Sequence, residues 1–146
     1  MTSKKYFSLL RWVLRLGFIF MICEAIYHAS GVRMAGVEAV WPEEAVVFSY
    51  FFMMLWSSVS VFVAVVLYYL QQHLEESKQL LVYLTIPSFL HAVMLICLSF
   101  TPYTEIFSLP SLHVWVPFYE FVIRTEAALL LTYVIYILYG KTRKFL

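Results

Sequence analysis

Four long apolar stretches run along this chain, at about residues 11–29, 44–74, 80–100 and 116–139. A helix needs about 20 residues, at about 1.5 Å rise each, to cross the hydrocarbon core of a bilayer. Four such helices and their connections use nearly all of the 146 residues. Backbone polar groups find no water in lipid, so each stretch must satisfy its own hydrogen bonds as a helix. The expected architecture is therefore an all-α integral membrane protein, one domain over residues 1–146, with four transmembrane helices in an antiparallel bundle. Composition argues the same way. Charged residues make up only 13% of the chain, against about 25% in soluble domains. The formal net charge of +1, with basic residues mostly at helix ends, removes nucleic acid as a partner class.

The stretches differ in character. The first is interrupted by Arg11, Arg15 and Glu24. The arginines can snorkel to an interface, whereas Glu24 lies too deep for its short side chain to do so and calls for a partner on a neighbouring helix. The second opens at Trp41-Pro42-Glu43-Glu44, with proline in the first turn, carboxylates at the positive end of the dipole and tryptophan at the interface. Its Ser57, Ser60 and Ala64 supply small residues for close helix packing. In the third, Pro87 frees the carbonyl of Tyr83 one turn before His91, which predicts a kink. Proline also marks the start of the fourth, at Pro117, after a loop containing Pro102 and Pro110.

Lys4, Lys5, Arg11, Arg15, Lys78, Lys141, Arg143 and Lys144 fall on one side of such a bundle, and Arg33 alone on the other. The positive-inside rule then places both termini in the cytoplasm and turns the Ser30 to Trp41 and Thr101 to Leu112 loops outward. The expected location is the plasma membrane of a bacterium.

Ionisable residues inside apolar helices are costly and face a protein interior or a cavity. Glu24 and His28 share a helix face at i, i+4, as do Glu120 and Arg124. With His91 near the midplane, these five are the ligand-pocket candidates, in one polar pocket in the outer half of the bilayer. Glu126 is two residues past Arg124, about 200° round the helix. It is expected on another face, in a stripe with Tyr133 that contacts another subunit. Glu24, Glu120 and Glu126 outnumber Arg124 among these groups, so at least one carboxyl must be protonated, reach interfacial water or meet a cation.

Chemistry is less constrained. Glu24, His28, His91 and Glu120 form a donor set suited to zinc, iron or copper, but a single Glu-x-x-x-His departs from the repeated Glu-x-x-His of di-iron bundles. No metal, haem or other cofactor is firmly implied. The chain contains no Asp or Asn, no glycine-rich phosphate loop and no nucleophile elbow. An enzyme acting on a quinone, sterol or other lipid is one alternative, and proton movement through the Glu/His set is another. The leading expectation is a non-catalytic subunit, accessory factor or small-ligand-binding protein, with the bilayer, a hydrophobic small molecule and a membrane-protein partner or second copy as its contacts. Cys23 and Cys97 sit in apolar helices, where cysteine acts as a small hydrophobe.

Overall fold

The computed structural model describes residues 2–30, 43–100 and 116–146. These form five helices and no strand: α1 (Ser3–Ala29), α2 (Glu43–Gln72), α3 (Lys78–Tyr83), α4 (Thr85–Ser99) and α5 (Val116–Thr142). Three helical stretches, Ala45–Gln72, Lys78–Ser99 and Glu120–Thr142, are long and apolar enough to cross a membrane. The helix α1 is not among them, because charged side chains interrupt its apolar run. The Trp41-Pro42 pair and the loops carrying Arg33, Pro102 and Pro110 lie outside the described residues.

Large apolar side chains cover the outside of the bundle. Phe62 is 69% exposed and Ile86 68%, and Phe48, Phe121 and Ile135 point outward as well. In water such a surface would aggregate. In lipid it is the solvated face, since a helix apolar all round belongs in a hydrocarbon environment.

The helix α1 begins at Thr2, whose hydroxyl accepts from the Lys5 amide at 3.4 Å. It runs antiparallel to α2. Near one end Arg11 Nε donates to the Gln71 carbonyl (3.0 Å) and Arg15 Nε to Gln71 Oε1 (3.2 Å). Near the other, the Ser57 hydroxyl donates to the Ala25 carbonyl (2.9 Å). Small residues let the two backbones approach: Ser60 and Ala64 are buried, and a Cβ built on Gly17 would stand 3.3 Å from Leu67.

The third apolar stretch is broken at Leu84, which caps α3 and precedes α4. Pro87 has no N–H to give to Tyr83. Two residues earlier, the Leu81 carbonyl accepts both the Thr85 hydroxyl at 3.2 Å and the Tyr133 hydroxyl from α5. The break at Leu84 thus lies beside a carbonyl to which a neighbouring helix supplies a donor.

The packed core sits at the end holding both termini. Tyr6, Leu10 and Leu14 of α1 meet Leu70, Leu74, Leu81, Tyr133 and Ile137. Gly140 lies against Tyr6 so closely that a Cβ there would collide with the phenol ring, and the Tyr6 hydroxyl donates to the Tyr136 carbonyl at 3.1 Å. The chain end folds back in a Schellman-type cap: Phe145 N–H donates to the Gly140 carbonyl and Lys144 N–H to that of Lys141. Lys144 adopts φ 57°, and Lys78 Nζ holds the Phe145 carbonyl at 2.8 Å.

Candidate functional site

Close packing joins α1 to α2, α4 to α5, and α1 to α5. Among the described residues no comparable packing joins α2 to α4. Between the α1–α2 pair and the α4–α5 pair lies a cavity of about 580 Å³. Its floor is the core at the terminal end, where Leu14 and Leu70 reach it, and Phe20, Val63 and Leu130 are among the apolar side chains of its walls. A few polar groups face the same space: Glu24 from α1, Trp56 and Ser60 from α2, Ser88 and His91 from α4, and Glu126 and Tyr133 from α5.

Helical spacing explains this convergence. On α1, Leu14, Gly17, Met21 and Glu24 recur at three and four residues and line the cavity together. On α5, Glu126, Leu130 and Tyr133 do so. Each stripe starts in the packed core and runs towards the carboxylates.

Glu24 is held on one side only. Its Oε1 accepts from Trp56 Nε1 at 3.3 Å, and His28 Nε2 stands 3.7 Å from the same oxygen, beyond good hydrogen-bond length. Its Oε2 is buried with no hydrogen-bond partner among the described residues, and so is Nδ1 of His28. Across the cavity, His91 Nε2 lies 3.5 Å from Glu126 Oε1. Both carboxylate side chains are only 9% exposed. Among the described residues no lysine or arginine lines the cavity: Arg15 is bound to Gln71, and Arg124 pairs with Glu120 at 3.1 Å with its own side chain 65% exposed.

The structure therefore regroups the residues singled out in the sequence. It places Glu24 and His91 in the lining of one cavity and His28 beside Glu24. It leaves Glu120 and Arg124 as an outward i, i+4 pair that is no part of the lining. Glu126 and Tyr133, assigned to a subunit contact, are both buried and face the cavity. The two-residue offset from Arg124 correctly separates the faces. Which face turns inward follows from tertiary packing, and no local signal carries it. Trp56 was missed. Its distance of 32 residues from Glu24 gives the sequence no means of pairing them.

The donor set proposed for a metal is not assembled. Among the described residues no three His, Cys or carboxylate groups converge to hold an ion, because Glu120 turns outward and His28 and His91 belong to separate carboxylates. Cys23 and Cys97 are free and face outward. What the arrangement offers is an apolar chamber lined by two carboxylates, one imidazole and an indole N–H, with the His28 imidazole beside Glu24, the general form of a small-molecule site. No family model, curated protein or solved structure matches this chain.

Proposed function

We propose that this chain is a four-span membrane protein, with both termini in the cytoplasm, that binds a small apolar molecule with one polar head and acts as a binding protein or accessory subunit. The observation that carries this reading is the cavity of about 580 Å³, walled by apolar side chains and furnished with convergent polar groups. Its size lies within the roughly 300–1,000 Å³ of drug-sized ligand sites. Residues of α2 and α4 both line it while the two helices do not pack along each other, so an entrance between them would admit a molecule directly from the bilayer.

The fourth span rests on α1. It lies beside α2 from Arg11 at one end to Ala25 at the other, so a membrane crossed by α2 is crossed by α1 too. Gln71 takes up both arginines and Trp56 bonds Glu24, which offsets the cost of placing these groups at depth. The surplus of lysine and arginine at the terminal end supports the orientation, and the carboxylates then sit in the outer half.

Purification in mild detergent, followed by native mass spectrometry and analysis of the organic extract, tests the reading. Wild-type protein is expected to carry an apolar species in near-equal amount to the chain. Val63→Trp, which fills the cavity from α2, should lose that species while keeping its helical content and elution volume. Identical extracts from the two proteins, matching bulk lipid, would refute it.

A further inference from the structure

The charge inventory of the cavity narrows the ligand. Among the described residues, the ionisable and polar groups at or beside the cavity are Glu24 and His28 from α1, Trp56 and Ser60 from α2, Ser88 and His91 from α4, and Glu126 and Tyr133 from α5. Two are acids, and none is a lysine or arginine. A buried carboxylate without a cation is among the most costly groups a membrane interior can hold. The histidines do not complete these carboxylates. They approach at 3.7 and 3.5 Å, each towards a single oxygen, and Oε2 of Glu24 has no hydrogen-bond partner among the described residues although its side chain is 9% exposed.

From this we infer that the ligand is a lipophilic amine bound as its ammonium ion, its apolar body filling the cavity and its head donating to Glu24 Oε2, with Glu126 as the second counter-charge. The inference rests on the binding reading above and specifies its ligand class. An ammonium N–H supplies both missing elements, a donor for Oε2 and a positive charge between two acids. A neutral alcohol of the same shape supplies the donor but no charge. A carboxylate adds a third acid to the same region and is disfavoured by like-charge repulsion.

The three head groups can be compared directly. Full-length protein in nanodiscs of zwitterionic phosphatidylcholine is titrated with 4-phenylbutylamine, 4-phenylbutan-1-ol and 5-phenylpentanoate, with protein-free nanodiscs as the partition control. The amine should bind at least about tenfold more tightly than the alcohol, the difference expected of a charge-assisted over a neutral hydrogen bond, and the carboxylate most weakly. Glu24→Gln should bring the amine down to the alcohol's level. If that variant does not fold, Glu126→Gln provides a second test, with a severalfold loss expected for the amine, and the three-probe order on wild type stands by itself. Equal binding of amine and alcohol would overturn the amine assignment while leaving cavity binding intact. Binding of none of the three, together with no co-purified species, would remove the binding reading itself.

Discussion

Arg124 and Glu126 are two residues apart and live in different surroundings. The guanidinium is 65% exposed and tied to Glu120 on its own helix, whereas the Glu126 carboxylate is 9% exposed beside His91. An outward i, i+4 pair contributes little, about 0.3–0.5 kcal/mol. Arg124→Gln should therefore lower stability by less than about 1 kcal/mol, and combining it with Glu24→Gln should give additive losses in a detergent or bicelle unfolding assay. Coupling above about 0.5 kcal/mol would show that the two side chains share a network. The candidate site was half legible for this reason. Residue types and i, i+4 spacing exposed Glu24, His28 and His91 as groups needing partners, because apolar surroundings make any ionisable side chain conspicuous. The choice between Glu120 and Glu126 depends on how α5 is rotated against α1 and α4. That rotation is fixed by Tyr133, Val134 and Ile137 packing into the terminal core, and the almost uniformly apolar α5 sequence gives it no periodic signature.

At the scale of single elements, the break between α3 and α4 and the end of α5 make separate predictions. The Tyr133 hydroxyl reaches the Leu81 carbonyl across helices. Tyr133→Phe keeps the ring and leaves that carbonyl with the Thr85 hydroxyl alone, so a loss of about 1 kcal/mol is expected, and Thr85→Val in the same background should enlarge it. A loss no larger in the double variant than in Tyr133→Phe would mean that the carbonyl does not depend on these donors. At the other site, Lys144 holds a left-handed conformation that costs a residue with a Cβ roughly 1–2 kcal/mol. Lys144→Gly removes that cost, partly offset by the added freedom of glycine in the unfolded chain. A net gain of about 0.5–1 kcal/mol in thermal unfolding is expected. In contrast, Gly140→Ala, only four residues earlier, drives a methyl into the Tyr6 ring and should destabilise by about 1–3 kcal/mol.

For the whole molecule, the proposed topology predicts a labelling pattern. Single cysteines introduced at Met34 and Ser108, in a background lacking Cys23 and Cys97, should react with an impermeant maleimide from outside, and those at Ser3 and Ser77 only after permeabilisation. The reverse pattern would invert the depth of every group in the cavity. Helix positions were the most legible part of the fold, because the cost of exposing backbone to lipid forces each apolar stretch to be helical whatever its neighbours do. The outer boundaries moved: α1 starts at Ser3 rather than about residue 11, and α5 ends at Thr142 rather than about residue 139, where amphipathic ends extend past the apolar runs. The pairing of α1 with α2 and α4 with α5 was not legible, since the short connection over residues 73–77 leads from α2 to α3 and the helices it joins do not pack closely. Nor was the hollow between the pairs, because it reflects an absence of contact.

That unevenness, with one end tightly packed and a chamber of about 580 Å³ beside it, makes the protein mechanically two-sided. Packed interiors resist compression, while internal void volume is what pressure removes. Hydrostatic pressure should therefore act first on the chamber, drawing α2 towards α4 while the core around Tyr6 and Leu81 stays rigid. A guest molecule would stiffen the softer side and leave the other unchanged, so the pressure dependence of the Trp56 fluorescence should flatten when the chamber is filled.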